Sequence, residues 1–530
     1  MKPSREHLPD LSKSMIGRRS YLQKLSKYGA LSVIPSYITL EESEGEVDAI
    51  SGGSPMKGLE PVGSVNMPGL REAVVDNSQE KAYVALTDGF GIVDVSNPDS
   101  PESIYEERDL THQGSNPMGS IKDVKVNGDR LLVPGPAGFN EGLSGFFLYD
   151  ISNPHDPQRV AFQPTTFSIH NSFITSSHVY LTGSRIQNEP VVIYNIQNDE
   201  PKEVARWSVV DNNSAWEEVE SIYRTCHDVF VQNEILYIAY WDAGTWLVDV
   251  SNPSNPSAVG RLGRHSLDYL QSLTKTSYES TELPGNSHYV QPSPGGSTII
   301  VGKEAWDIDS TEVDGGPGGI ELWNATDNSY ELTTILKPPQ ISNESHDNLT
   351  AHNFGVHKDT LYTSWYKGGV RVYDISDLSS PLLAGEWIAP SKTSFWTAKP
   401  LESGFVAASI MNPSNSQAER WNGEGAKLYV FPEPTGNLVP APTVDRRPYP
   451  PYSDDTAPTE TNRNTSSITS PTSYDRPVTR SHSDSSISQG TSASNETTES
   501  DSTPGFKAIA AILGGGVAVK FLREQDSKNN

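Results

Sequence analysis

The chain has 530 residues, with 67 acidic against 40 basic side chains, a formal net charge of −27 and a single cysteine, Cys226. That balance excludes a nucleic-acid partner, whose phosphates need Lys and Arg, and one cysteine excludes an internal disulfide in any compartment. A dense carboxylate surface suits molar salt, where the Debye length shrinks to about 3 Å and like charges repel less.

Residues 1–50 read as an export signal and leader. The stretch GRRSYLQKLSKYGALSVIPSYITL sets Arg18 and Arg19 ahead of Tyr21 and Leu22, with an apolar run from Tyr28 to Leu40. It resembles a twin-arginine export signal, which implies folding before export. A basic amphipathic helix is the alternative, but Pro35 would interrupt it.

Residues 51–434 are dominated by a repeat. YVALTDGFGIVDVSNPDSP, ending at Pro101, returns as YIAYWDAGTWLVDVSNPSNP, ending at Pro256. Further copies end at Pro157, Pro201, Asn328, Pro381 and, more weakly, Pro434. Seven units therefore follow one another about 56 residues apart. Each has the same grammar, as in the unit from His227: HDVFVQ, a turn, ILYIAY from Ile235, a Gly-containing turn, TWLVDVS from Thr245, an Asn-Pro turn, and SAVGRL from Ser257. Period-two alternation between closely spaced turn residues predicts strands. Four antiparallel strands repeated seven times predict an all-β, seven-bladed β-propeller. The stretch PVGSV from Pro61 matches a fourth strand, whereas the last unit stops at KLYVF without one, so the N-terminal strand is expected to complete the last blade and close the ring. A β-solenoid is the competing architecture.

The third strand ends in Val-Asp-Val-Ser-Asn-Pro at Asp94 and Asp249 and in Tyr-Asp-Ile-Ser at Asp150 and Asp374. This pattern resembles the LVIVD repeat of many exported bacterial and archaeal proteins, over roughly residues 60–434. The resemblance implies a fold and an extracellular tendency, and no reaction. The Asp and Ser side chains are expected to cap the turn by bonding nearby backbone amides.

In a propeller the first strand of each blade lines the channel. Aligning these strands puts Arg71, Lys122, His170, His227, His288, His352 and Trp396 at one repeat phase. Histidines at that phase in four consecutive blades, four of the twelve in the chain, suggest imidazoles at a channel mouth that could coordinate a divalent transition metal such as copper, zinc or iron, with Asp228 or Cys226 beside them. Repeat inheritance, each ring bonding a neighbouring blade, explains the phase equally well. Successive blades stand about 51° apart, so His170 and His352 would meet only through long inward reach. Arg71, Lys122 and Trp396, with Asp228, are the corresponding candidates for an anionic or other small ligand. The acidic and aromatic stretches Lys303–Gly316 and Ser364–Gly369 follow second strands and could shape one face. An insertion from about Leu267 to Pro284 has helical spacing at Leu267, Leu270 and Leu273 and is expected to project from one rim.

Residues 435–503 are rich in Ser, Thr, Pro, Asn and Asp and cannot bury enough apolar surface to offset chain entropy, so they read as a disordered stalk. In residues 504–530, Pro504, Gly505 and Phe506 precede an apolar run from Ala508 to Val519, then Lys520 and Arg523. This tail resembles the PGF tripartite sorting signal of archaeal surface proteins. The resemblance implies membrane anchoring at the C-terminus. No Gly-x-Ser-x-Gly elbow, phosphate loop, dinucleotide fingerprint or His-Glu-x-x-His pair occurs. Two functions follow. One is a binding module displayed at a haloarchaeal envelope, recognising an envelope partner, a polysaccharide or a small solute. The other is a metal-dependent oxidase or hydrolase built on the channel histidines.

Overall fold

The computed structural model describes residues 59–444 apart from 77, 79, 139–141, 274–282, 306–317, 327–328, 343–347 and 411–424. The expected leader, the tail and most of the expected stalk lie outside the described residues. Among the described residues no helix is long and apolar enough to cross a membrane.

Strands alternate with tight turns throughout, and they group into seven antiparallel sheets. Blade 1 comprises Leu70–Asp76, Lys81–Leu86, Gly89–Asp94 and Glu102–Arg108; blade 4 comprises Asp228–Gln232, Ile235–Tyr240, Gly244–Asp249 and Ser257–Leu262. The intervening and following blades repeat that order. The expected seven-bladed propeller is therefore the observed fold.

Ring closure also follows the sequence reading. Strand Gly63–Asn66 pairs with Lys427–Phe431 in blade 7, with Gly63 opposite Val430 and Asn66 opposite Lys427. Among the described residues, a hydrophobic layer fills the gap between each pair of neighbouring blades, and the seam is built like the rest: Leu70, Ala82, Val84 and Val93 of blade 1 meet Val406, Leu428 and Val430 of blade 7. Fully burying each such aliphatic side chain contributes about 1.5–3 kcal/mol.

The Asp-x-Ser turns behave as expected. Asp94, Asp150, Asp249 and Asp374 each accept a hydrogen bond through Oδ1 from the backbone amide two residues on, at 2.8–2.9 Å. These aspartates hold turns.

Two boundaries change. The propeller does not end at residue 434, because Val439–Pro440 adds a fifth strand to blade 6 beside Leu382–Trp387, and Val444 donates its amide to Ile335 O at 2.9 Å. Residues 435–444, expected in the stalk, are thus docked. A two-residue strand is too short to leave an alternating pattern. The insertion after Leu262 also differs. Its helix, Leu267–Ser272, does not simply project, since Leu270 is fully buried in the layer between blades 3 and 4 alongside Trp216 and Trp246.

The candidate channel site

The inner strands supply the ring that the repeat phase predicted, and four of them carry a β-bulge at that phase. Pairing slips between Leu70 and Ala73, Ile169 and Ser172, Ser287 and Tyr289, and Phe395 and Thr397. A bulge re-aims side chains, and here it spans Arg71, His170, His288 and Trp396.

The four imidazoles form a contiguous arc. Ring centroids are 4.4 Å apart for His170 and His227, 3.9 Å for His227 and His288, and 4.5 Å for His288 and His352. Trp396 continues the arc 4.1 Å from His352, and the Lys122 ammonium stands 5.9 Å from the Trp396 ring. Arg71 is buried and donates to Leu70 O at 3.0 Å. The rings converge, and three of them also bond backbone. His227 Nδ1 lies 2.9 Å from His288 O, His352 Nδ1 2.6 Å from Trp396 O, and His170 Nδ1 3.4 Å from Ala137 O.

Those carbonyls decide the tautomers. A carbonyl only accepts, so Nδ1 carries the hydrogen in His227 and His352, and Nε2 keeps a lone pair. Both Nε2 atoms are buried without a hydrogen-bond partner, as are both nitrogens of His288. Burial holds His170, His227 and His352 well below the ordinary imidazole range and brings His288 to about 3. All four are neutral at pH 7.

A residue that the alignment of first strands missed completes the group. Glu304 Oε2 lies 2.8 Å from His288 Nδ1 without hydrogen-bonding geometry, and Glu304 Oε1 lies 3.8 Å from His352 Nε2 and accepts from Tyr366 Oη. Burial raises the Glu304 carboxyl, while His352 and His227 lower it. Ligand atoms of His227, His288 and Glu304 all fall within 4.8 Å of one another.

A second alignment could have found Glu304. Gly244 opens the third strand of blade 4, Gly319 and Gly369 immediately precede those of blades 5 and 6, and their partners are Tyr240, Lys303 and Trp365. The residues that follow are Trp241, Glu304 and Tyr366. Trp241 lies 6.3 Å from His227 and Tyr366 lies 5.0 Å from His352, so this phase roofs the imidazoles and carries its one carboxylate in blade 5. Trp241 and Tyr366 hold φ of +31° and +50°, a left-handed backbone costing about 1–3 kcal/mol in an aromatic residue.

The other candidates take different places. Asp228, one residue beyond His227, belongs to a second ring, where its field partners are Lys125, Asp123, Glu72 and Lys399. In that ring Asp123 pairs with Lys125 and accepts from Ser172 Oγ at 2.6 Å, Asn353 donates to Glu72, and Lys399 donates to Tyr289 Oη and Phe354 O at 2.7 Å each. Cys226 does not join the imidazoles. It packs between blades 3 and 4, and burial pushes its thiol well up. Lys122 is half-buried, and its pKa falls to about 8 through desolvation and the nearby Arg71, against the pull of Glu304.

The LVIVD repeat is matched at residues 79–105, 224–262 and 359–388. The chain carries LVIVD repeats. These LVIVD segments lie in blades 1, 4 and 6 and contain His227, whereas His170, His288, Glu304 and His352 fall outside them. No curated protein matches. Among solved structures, the β-propeller domain of Cps50 (Swd1) from Myceliophteria thermophila aligns at 9% identity and a TM-score of 0.48, covering 71% of this chain and 99% of that one. A functionally unknown protein from Desulfotomaculum acetoxidans aligns at 11% identity and a TM-score of 0.38, covering 58% and 83%.

Proposed function

We propose that this LVIVD propeller is an exported binding module, displayed at the cell envelope, that holds one small solute at the centre of its channel. One observation carries the reading. Five buried polar atoms, His227 Nε2, His288 Nδ1 and Nε2, Glu304 Oε2 and His352 Nε2, have no hydrogen-bond partner. A folded protein seldom leaves such atoms unsatisfied, because each costs about 1–3 kcal/mol. Most carry lone pairs, so the solute they suit accepts electron pairs or donates hydrogen bonds. A polysaccharide or an envelope protein needs an exposed surface, and these atoms are buried, which favours the small solute among the expected partners.

Display rests on the sequence of the two ends, with Arg18 and Arg19 before the apolar run and Pro504–Phe506 before the tail. Two measurements test the reading. Native mass spectrometry of protein taken from its own envelope should show one added small mass per chain, and thermal denaturation should show that removing it lowers the melting temperature. Replacing Arg18 and Arg19 by Lys should strand the protein in the cytoplasm. Envelope protein of bare chain mass whose melting responds to no solute would overturn the binding module, and normal export of the double variant would overturn the display.

A further inference from the structure

We infer that the solute is a divalent transition metal ion held by His227 Nε2, a nitrogen of His288 and Glu304 Oε2, with His352 Nε2 next to the site. The inference rests on the binding reading above and specifies its ligand. Three features of the geometry point to a metal.

The first is the donor set. Two neutral imidazoles and one carboxylate form a borderline set that suits zinc, copper or iron, whereas calcium and magnesium prefer oxygen alone. The second is the spacing. The ligand atoms lie within 4.8 Å of one another, and tetrahedral binding at about 2.0–2.2 Å asks for edges near 3.4 Å. Rotation of one or two side chains closes that difference.

The third is the support behind each ligand. His227 donates from Nδ1 to the His288 carbonyl, which fixes its ring and leaves Nε2 for the ion. Glu304 is held at Oε1 by Tyr366, which leaves Oε2 free to face His288. His352 is fixed on Trp396 O in the same way as His227. Outer hydrogen bonds of this type orient metal ligands and raise their basicity. Three protein ligands would leave a coordination position for water or for His352.

Lys122 offers a discriminating charge. Its ammonium acts on His227, His288 and Glu304, so it repels a bound cation and would attract a bound anion. Lys122→Met should therefore tighten a metal by about tenfold and weaken an anion.

The experiment uses the exported full-length chain, stripped with a chelator and titrated with cobalt(II) and zinc(II). One equivalent of cobalt should bind and produce visible d–d absorption, and zinc should displace it. Glu304→Gln and His227→Ala should each weaken binding more than about a hundredfold, while His357→Ala, at an exposed position five residues beyond His352 in the same blade, should change nothing. Circular dichroism and melting of Glu304→Gln keep loss of fold apart from loss of a ligand. The inference falls if folded wild-type protein takes up none of cobalt, zinc, copper or iron, or if Glu304→Gln binds as tightly as wild type. It also falls if Lys122→Met weakens the metal. Should native protein instead retain an organic solute that Lys122→Met alters, the metal falls and the binding module stands; retention of neither removes both.

Discussion

The two rings of the channel sit one residue apart on the same strands and treat buried polarity in opposite ways. In the second ring, ammonium groups are already resident: Lys125 faces Asp123, and Lys399 is bonded to Tyr289 and Phe354. That ring still leaves Asp228 Oδ2, Asn353 Oδ1 and Thr397 Oγ1 open, but its carboxylates share their space with two cations. In the first ring, neutral imidazoles and Glu304 crowd their lone pairs together. The second ring thus pairs its buried carboxylates with resident cations to a degree that the imidazoles and Glu304 of the first ring do not share.

The sharpest way to break this comparison is to remove the resident cation. Lys125→Met leaves Asp123 buried without its ion-pair partner and should destabilise the fold by about 3–5 kcal/mol, read from urea denaturation. A loss below about 1 kcal/mol would mean that water reaches the second ring and that the two rings do not differ.

Acid should expose the first ring. His288 is held at about 3 by burial and by Lys122, against 6.5 for a free imidazole. The unfolded chain takes up a proton between those values and the folded ring does not. Stability therefore falls as pH drops through that window, at up to about 1.4 kcal/mol per pH unit for this side chain. His288→Asn should flatten the slope between pH 6 and pH 4 by about that amount. Denaturation midpoints at three pH values measure it, and an unchanged slope would show that His288 ionises freely in the fold.

The smallest effect has the most telling sign. Glu304→Gln removes a buried carboxyl that lacks a partner at Oε2 and should stabilise metal-free protein by about 1 kcal/mol, while costing it the ion. Destabilisation of the metal-free chain would assign Glu304 to structure.

Much of this was legible because repetition multiplies weak signals. One alternating run could be a strand anywhere, but GIVDVSNP, GFFLYDISNP and GVRVYDIS in one phase fix the blade, and blade phase fixes which residue faces the channel. Glu304 escaped because the residue after the second strand is aromatic in blades 4 and 6, at Trp241 and Tyr366, so its phase read as loop packing. The docking of Val439–Pro440 escaped for a different reason. It is specified by an available edge on blade 6, and a tertiary edge has no local sequence pattern. Cys226 and Asp228 flank His227 in sequence, yet Cys226 lies ahead of the strand and packs in the gap between blades, whereas Asp228 opens the strand and joins the second ring.

The seam at blade 7 has a consequence for how the chain is made. Gly63–Asn66 emerges early from the ribosome, and the strand it must join, Lys427–Phe431, emerges after every other blade. Until then the first strand has no mate and blade 1 has no neighbour on one side. A message cut short anywhere before Phe431 yields a chain with an open circle and bare strand edges, the features by which incomplete proteins aggregate or are degraded. The join between first and last thus works as a length check, passed only by a chain that reaches the third strand of blade 7.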